Sequence, residues 1–140
     1  MPLISTIHHR VNYSEVDQMA VVYHARYVVW LDMARTEHLR QAGMSYKEVE
    51  AQGVRLAVGD LQIRYRQPAR YDDLIRVRCW VRELASRRVV FGYAVELDQT
   101  GTLLATATTA MFSLGLDQRP VRLPVEVGRL LEATDDPVRI

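Results

Sequence analysis

Apolar and polar residues follow two different periods along this chain, and the change falls near Gly53. From Tyr27 to Ala42 apolar residues recur at intervals of three and four, which is the period of an amphipathic helix. The residues on this face are Tyr27, Trp30, Leu31, Ala34, His38 and Ala42. We therefore predict a helix from about Tyr27 to Ala42, packed against a sheet and ended by Gly43.

A second apolar stripe on the same helix includes Val28 and Leu39, about a quarter turn or more from the first. One sheet cannot cover both stripes, so we expect a neighbouring subunit to cover the second. Downstream, Ser45 and Glu48 have the spacing of a capping box, which predicts a short helix from Ser45 to Gln52.

Beyond Gly53 apolar and polar residues alternate, which is the period of a β-strand. The alternation slips near Gly59, and we predict a β-bulge there. The predicted strands are Ile4–Asn12, Val54–Tyr65, Ile75–Arg82, Val89–Leu97 and about Thr102–Leu116. The last strand is rich in alanine and threonine, whose small side chains should let a helix lie close. A short terminal helix around Val127 to Leu131 should follow, with a polar end that frays.

Five strands that are mostly joined by hairpins, with one long helix inserted after the first strand, indicate an α+β domain whose sheet curls around the helix. The 140 residues suit a single domain, 1–140, with one core.

Composition and charge narrow the classes of function. The chain has 18 basic and 17 acidic side chains and a net charge of +1, so it lacks the positive charge of a general nucleic-acid binder. Cys79 is the only cysteine, which excludes a disulfide within one chain. Neither a charged-then-apolar leader nor a long apolar run is present, so we predict no membrane span and a cytoplasmic location.

The candidate for chemistry is the loop that precedes the long helix. Asp17 lies in this non-periodic loop, and we predict that its carboxylate is aimed at the helix start. The N-terminus of a helix presents unpaired N–H groups and about half a positive charge, so a reactive carbonyl can bind between the two.

Other residue types offer less. His8 and His9 are adjacent on a strand and face opposite sides, so they cannot form one site. No His, Cys, Asp or Glu cluster has the spacing of metal ligands, and no Gly-rich phosphate loop or Ser/His/Asp arrangement is apparent. His38, on the apolar face of the helix, is expected to be a hydrogen-bonded core residue.

The stretch YSEVDQMAVVYHARYVVWLDMAR, from Tyr13 to Arg35, resembles the acyl-CoA thioesterases of the hotdog fold. In particular it resembles the 4-hydroxybenzoyl-CoA thioesterase family and its bacterial acyl-CoA thioesterase branch. IRYRQPARYDDLIRV is similar to that family's strand and turn after the helix, and LDQRPVRLP to the end of its last strand. The resemblance extends from about His9 to Pro124 and implies a hotdog fold, in which a five-stranded antiparallel sheet wraps around one long central helix.

The resemblance implies roles for residues around the helix start. Asp17 would be the nucleophile or the general base toward water, and the backbone amide of His24 would polarise the thioester carbonyl. The His24 side chain would orient water or the leaving thiol, or only pack. Tyr23, grouped with the catalytic residues, and Tyr27, grouped with the substrate-binding ones, would have positioning roles. The family usually has glycine in this loop where this chain has Ala20, so the turn needs a conformation that alanine tolerates poorly.

The resemblance also implies how the substrate is held. Asp32 coincides with a position that recognises a hydroxyl group on an aromatic acyl group in one branch, although an ion pair with Arg35 accounts for it equally well. Arg87 and Arg88 resemble the residues with which relatives hold the nucleotide end of coenzyme A. Four further arginines on strand positions either add to that positive field or form a solvated sheet face: Arg64, Arg66, Arg76 and Arg78.

The implied activity is hydrolysis of an acyl-CoA thioester to a free acid and coenzyme A. The enzyme would be a homo-oligomer, with a dimer as the smallest unit and a tetramer expected. Catalysis by a carboxylate and a backbone amide needs no cofactor and no metal ion. The alternative is a non-catalytic module of the same fold that binds acyl-CoA or an acyl carrier protein. A double-bond hydratase is disfavoured, because the sequence lacks the usual Asp/His pair of that group.

Overall fold

The structure of the chain, a computed structural model, describes residues 2–140 and contains five strands and three α-helices within them. The strands are β1 (Ser5–Arg10), β2 (Val54–Tyr65), β3 (Leu74–Leu84), β4 (Arg88–Leu97) and β5 (Leu103–Gly115). The helices are α1 (Arg26–Ala42), α2 (Tyr46–Ala51) and α3 (Val125–Leu130), and a short 3₁₀ turn covers Tyr13–Glu15. None of the described helices is both long enough and apolar enough to cross a membrane.

All five strands join one antiparallel sheet in the order β1-β3-β4-β5-β2, and α1 contributes its buried face to the same core. The predicted hotdog arrangement, a five-stranded antiparallel sheet with one long helix, is confirmed. β1 and β2 are the two edges of this sheet.

The buried face of α1 is largely the predicted one, with Tyr27, Trp30 and Leu31 among its buried residues. Leu39 is also buried, with only 3% of its surface exposed, so its assignment to an uncovered second stripe is wrong. Leu39 lies near Tyr46 of α2, Leu56 of β2 and Met111 of β5, so elements of the same chain surround it. The large apolar residues of α1 that remain exposed are Val28, Val29 and Met33.

The predicted bulge in β2 is confirmed, because the register against β5 shifts between Val58 and Asp60. The Phe112 ring lies over Gly59, and a Cβ atom at Gly59 would come within 2.1 Å of that ring. Glycine therefore permits the close approach of this aromatic side chain, and any larger residue would displace the ring.

The small residues of β5 pack beside large residues of β4. Phe91 lies opposite Thr109, and Tyr93 lies opposite Ala107. The helix α1 lies closest to β1 and β3, and it shares one buried core with Ala105 and Ala107 of β5. The expectation that these small residues let the helix lie close stays a prediction.

The chain after α3 covers part of the outer face of β3. Ala133 pairs in parallel with Val81, and Asp136 accepts hydrogen bonds from the Trp80 indole and the Arg82 guanidinium, both at 2.9 Å. Trp80 is fully buried between this segment and Gly92 of β4. The expectation that this end frays is therefore wrong as far as Asp136.

Ser5 connects His38 to the sheet. The Ser5 hydroxyl donates to the Cys79 carbonyl at 3.2 Å, and the His38 Nδ1–H donates to the Ser5 hydroxyl oxygen at 2.8 Å. His38 is thus the hydrogen-bonded core residue that its place on the helix predicts. Burial lowers the pKa of His38, and the Cys79 carbonyl offsets only part of this effect.

We expect His38 to make the fold weaker in mild acid, because its pKa in the folded chain lies below the ordinary value of 6.5. Above that value both states are neutral at this site and the stability is unaffected. Below it the unfolded chain binds the proton first, so the free energy of unfolding falls with pH, by at most about 1.4 kcal/mol per pH unit. Urea unfolding between about pH 7.5 and pH 5.5 measures this slope.

The variant His38→Asn keeps an amide N–H near the Nδ1 position and cannot titrate. Its unfolding free energy should depend less steeply on pH than that of the wild type. The other three histidines are present in both proteins, so their contributions cancel in the comparison. Equal slopes for the two proteins would contradict the role given to His38.

Candidate active site

The loop before α1 is a short hairpin that holds Asp17. Val16 pairs with Val22 in an antiparallel bridge, and the Asp17 N–H donates to the Val21 carbonyl at 2.9 Å. The Ala20 N–H donates to the Asp17 carbonyl at 3.0 Å and closes a turn, and Ala20 itself has a φ of 62°. A turn followed by one left-handed residue is a common hairpin connection, and glycine usually occupies the left-handed place. Alanine thus adopts the turn in a strained conformation.

The Asp17 carboxylate is half-buried and only partly hydrogen-bonded. Its Oδ1 accepts the N–H of Met19 at 2.8 Å. Within residues 2–140 its Oδ2 accepts no hydrogen bond. One oxygen is therefore anchored, and the other is available to a substrate or a water molecule.

Glu15, which is absent from the predicted site residues, is the buried carboxylate of this region. Its Oε1 accepts hydrogen bonds from His9 Nε2 and from the Asn12 N–H, both at 2.8 Å. Its Oε2 accepts one from the Trp30 indole, also at 2.8 Å. The donors come from β1, from the loop and from α1, so this one side chain joins three parts of the fold.

The sequence does contain a signal for Glu15, because Asn12 and Glu15 have the spacing of a capping box. Burial alone would raise the pKa of Glu15. The hydrogen bonds from Asn12, His9 and Trp30, together with the charge of His9, outweigh burial and place its pKa below the ordinary value of 4.5. Glu15 is therefore ionised at neutral pH.

The backbone at the start of α1 is held from several directions. The Tyr23 N–H donates to the Glu15 carbonyl at 2.8 Å, and the Arg26 N–H donates to the Tyr23 carbonyl at 2.9 Å. The Tyr65 hydroxyl, at the end of β2, donates to the His24 carbonyl at 2.7 Å. Within residues 2–140 the His24 N–H has no acceptor. The amide that was predicted to polarise a carbonyl is therefore available to do so.

A groove of about 240 Å³ lies between the hairpin, the start of α1 and the end of β2. Its lining residues are Val21, Val22, His24, Tyr27, Tyr65, Arg66, Gln67 and Pro68. Tyr27 is buried, and its hydroxyl accepts the Ala69 N–H at 3.1 Å. The Tyr23 ring is exposed and lies 4.5 Å from the His24 imidazole, measured between ring centroids. The structure thus places the three predicted residues His24, Tyr23 and Tyr27 next to one another.

Asp17 adjoins this groove through Val21, to whose carbonyl its N–H donates. Along the hairpin Asp17 lies opposite Val21 and Glu15 lies opposite Tyr23. Asp17 and His24 are therefore about three residue positions apart, with Asp17 next to the groove and His24 in its lining.

Asp32 lies at a different cavity, of about 110 Å³, beside α1. Its side chain is 66% exposed, and Arg35 Nη2 donates to its Oδ1 at 2.6 Å. Arg35 also donates to the Tyr93 hydroxyl at 3.2 Å. The ion pair that was one account of Asp32 is therefore present, and recognition of a substrate hydroxyl by Asp32 stays a prediction.

Arg87 and Arg88 lie near the opposite end of the sheet from the groove. Arg88 is level with Phe112 on β5, whereas Tyr65 is level with Ala105. These two β5 residues are seven positions apart, which corresponds to about 23 Å. Arg88 forms an ion pair with Glu83. Within one chain the structure does not bring Arg87 and Arg88 to Asp17.

The arginines predicted at strand positions divide into two kinds. Arg76 and Arg78 both donate to Glu96, at 3.0 and 2.9 Å, and form an ion-pair network on the outer sheet face. Arg66 is not on a strand, because β2 ends at Tyr65, and it lines the groove, where it supplies a positive charge. Arg64 is exposed on β2.

The two adjacent histidines face opposite sides, as predicted. His8 donates to Asp98 at 3.0 Å, whereas His9 donates to Glu15. Among residues 2–140 no three His, Cys, Asp or Glu side chains are grouped so that they could hold a metal ion.

Comparison with known proteins finds the family that the sequence resembles over most of the chain. The thioesterase-like superfamily matches residues 11–131. The acyl-CoA thioesterase YbgC of Haemophilus influenzae is 34% identical over 119 residues, which cover 84% of this chain and 87% of that protein.

Two solved structures are similar throughout the fold. A hypothetical protein from Thermus thermophilus is 39% identical with a TM-score of 0.85, over 91% of this chain and 96% of that one. The DHNA-CoA thioesterase of Staphylococcus aureus is 30% identical with a TM-score of 0.82, over 86% of this chain and 80% of that one.

The strain at Ala20 predicts that Ala20→Gly stabilises the protein. The left-handed conformation costs a residue with a Cβ atom about 1–2 kcal/mol, which glycine would relieve. Glycine also has greater freedom in the unfolded chain, and this offsets about 0.4–1 kcal/mol of the gain in stability. We expect the free energy of unfolding in urea to rise by about 0.5–1 kcal/mol. The control Ala51→Gly, in the last turn of α2, should lower it by a similar amount. Destabilisation by both substitutions would contradict the strain assigned to Ala20.

The Glu15 contacts predict that Glu15→Gln destabilises the protein by about 1–3 kcal/mol, because one amide oxygen cannot replace a carboxylate that accepts three hydrogen bonds. The difference should be complete above about pH 4.5 and shrink as the pH falls, since the pKa of Glu15 is lowered in the folded chain. The control Glu37→Gln loses only a surface pair with Arg40 and should cost less than about 1 kcal/mol. If the two variants lost equal free energy of unfolding in urea, the stabilisation assigned to the Glu15 hydrogen bonds would be contradicted.

Proposed function

Because the chain belongs to the thioesterase-like superfamily, we propose that it is an acyl-CoA thioesterase, which hydrolyses an acyl-CoA thioester to a free acid and coenzyme A. The observation that carries this proposal is the pairing of two unsatisfied groups beside one groove. These are Oδ2 of the Asp17 carboxylate and the N–H of His24. An acceptor and a donor placed on either side of a carbonyl carbon are what hydrolysis of a thioester requires.

In the proposed reaction the thioester oxygen accepts a hydrogen bond from the His24 N–H, which stabilises the negative charge that develops on it. Asp17, as general base, takes a proton from water while the water oxygen bonds to the carbonyl carbon. The carbon–sulfur bond then breaks, and the coenzyme A thiolate receives the proton that Asp17 took from water. In the nucleophilic version Oδ2 of Asp17 bonds to the carbon first, and water then hydrolyses the resulting acyl–enzyme anhydride.

The aromatic residues beside the groove are placed where they can position the substrate. Tyr27 is held by the Ala69 N–H, and Tyr23 packs on His24, so both shape the entrance to the two reacting groups. The His24 imidazole is exposed at the groove, where it can orient water or the leaving thiol. The proposed chemistry uses a carboxylate and a backbone N–H and involves no cofactor or metal ion.

The proposal includes a homo-oligomer, with a dimer as the smallest unit and a tetramer as the expected form, in the cytoplasm. Two features support a second copy of the chain. Val28, Val29 and Met33 expose apolar surface on α1. Arg87 and Arg88, proposed to bind the phosphates of coenzyme A, lie far from Asp17 within one chain, so the partner's copies would serve the site instead.

The acyl group is left open between aliphatic and aromatic acids. Asp32 would bind a hydroxyl group on an aromatic acyl group, provided that its pair with Arg35 opens. A panel of short, long and aromatic acyl-CoA thioesters, assayed for thiol release, identifies the preferred class.

We expect Asp17→Asn to lower kcat/KM for the best acyl-CoA by about 100-fold or more, because asparagine keeps the shape but cannot act as base or nucleophile. Asp117→Asn is the matched control. Asp117 accepts the N–H of the residue two positions on, Arg119, at 3.1 Å, as Asp17 accepts that of Met19 at 2.8 Å. The control should retain activity within about twofold. Activity of Asp17→Asn within about threefold of wild type would contradict the proposal.

A non-catalytic binding module on the same fold predicts a different pair of results. Acyl-CoA would raise the midpoint of thermal unfolding, and no free thiol would appear. A single turnover in isotopically labelled water separates the two chemical versions, since label enters Asp17 or the product acid in different proportions.

A further inference from the structure

Tyr65 is one of the groove residues that the sequence did not bring into the site. It is the last residue of β2, and its hydroxyl donates to the His24 carbonyl at 2.7 Å, across 41 positions of the chain. The Tyr65 ring meets the Tyr27 ring edge-on, with centroids 5.1 Å apart, and it lies 6.4 Å from the His24 imidazole. Tyr27 is itself held by Ala69. The phenol is therefore oriented by a rigid aromatic neighbour.

The hydrogen bond from Tyr65 determines the direction of a second backbone donor. The His24 carbonyl and the Ala25 N–H belong to one planar trans peptide, so they point in opposite directions. Because the carbonyl is directed at Tyr65, the Ala25 N–H is directed away from it. Within residues 2–140 the Ala25 N–H has no acceptor.

The preceding peptide is oriented in the same way. The Tyr23 carbonyl accepts the Arg26 N–H at 2.9 Å, which directs the His24 N–H away from the helix. Two consecutive N–H groups, those of His24 and Ala25, are thus left free where α1 begins, and a separate hydrogen bond determines the orientation of each.

A hydrogen bond to a peptide carbonyl also polarises the peptide, so its N–H becomes a stronger donor. Burial and the neighbouring Tyr27 raise the pKa of Tyr65, so its hydroxyl remains a donor at neutral and mildly alkaline pH. Tyr65 therefore determines the direction of the Ala25 N–H and also makes this N–H a stronger hydrogen-bond donor.

We propose that Tyr65 is a positioning residue for thioester hydrolysis. It orients the His24–Ala25 peptide so that the Ala25 N–H joins the His24 N–H as a second donor to the thioester oxygen. This inference rests on the proposed function, and it adds a donor and a residue that the function itself does not require.

The experiment compares Tyr65→Phe with Tyr46→Phe. Tyr46 makes a similar contact near the other end of β2, where its hydroxyl accepts the Leu56 N–H at 3.0 Å. Both variants lose one bond between a phenol and the backbone, so their thermal midpoints should fall by similar amounts. Tyr65→Phe should lower kcat about 5- to 20-fold with KM within about twofold, since the donor is loosened and not removed. Tyr46 lines the cavity at which Asp32 lies, so both variants are assayed with an aliphatic acyl-CoA that carries no hydroxyl group on its acyl chain. With this substrate Tyr46→Phe should leave both constants within about twofold.

The possible outcomes distinguish a failure of the Tyr65 role from a failure of the proposed function on which it rests. A kcat of Tyr65→Phe within about twofold of wild type, while Asp17→Asn is inactive, overturns the role of Tyr65 alone. A rise in KM at constant kcat also overturns it, because that pattern belongs to uniform binding. Failure of the wild type to release thiol from every acyl-CoA overturns the proposed function together with this role.

A second variant covers the case in which Tyr65→Phe does not fold. Incorporation of 3-fluorotyrosine at position 65 keeps the hydroxyl and makes it a stronger donor. At about pH 6.5, where this phenol stays protonated, kcat should rise about 1.5- to 3-fold at constant KM. An unchanged kcat overturns the proposal.

Discussion

The ionised Glu15 carboxylate is the constraint on which the rest of this site depends. Three donors from β1, the loop and α1 converge on it, and a buried carboxylate is stable only where its oxygens are satisfied in this way. Its backbone takes part as well, because the Glu15 carbonyl accepts the Tyr23 N–H. The same residue therefore holds the loop against the core and sets the position of the chain just before His24. Asp17, two residues on, is placed by a segment that has little freedom of its own.

The length of the sheet limits which parts of a long substrate a single chain could contact. The groove that His24 lines lies at the end of β2, whereas Arg88 lies about 23 Å from that end along the sheet. One chain therefore has the proposed reacting groups and Arg66 at the same end. Coenzyme A carries its phosphates well away from its sulfur, and those charges need cations wherever they lie. The exposed stripe of Val28, Val29 and Met33 gives a second chain a surface on which to pack. The same distances that separate the predicted residues support the proposed oligomer.

The sequence predicted what local patterns determine and missed what long-range contacts determine. The extent of α1, the capping box at Ser45 and the bulge at Gly59 follow from periodicity and spacing, and each is confirmed. Leu39 was misplaced because a helical repeat does not show that later elements, through Tyr46, Leu56 and Met111, surround it. Trp80 donates to Asp136, 56 positions away, and Tyr65 reaches His24 across 41. Glu15 is the exception, since its capping-box spacing to Asn12 was legible in the sequence.

Among residues 2–140, the hydrogen bonds of the site leave a few polar groups without a partner. At Asp17 the N–H, the carbonyl and Oδ1 all have partners, and Oδ2 has none within residues 2–140. At the helix start the Tyr23 N–H, the Tyr23 carbonyl and the His24 carbonyl all have partners, whereas the next two N–H groups have none there. Groups that are held by their neighbours need no reorganisation when charge develops on a bound carbonyl, and this is the source of most electrostatic catalysis. The strain at Ala20 is consistent with that view, because a turn that costs free energy persists only where the surrounding contacts determine it. The site is therefore better described by the few polar groups that its own fold leaves unpaired than by the residues that line its groove.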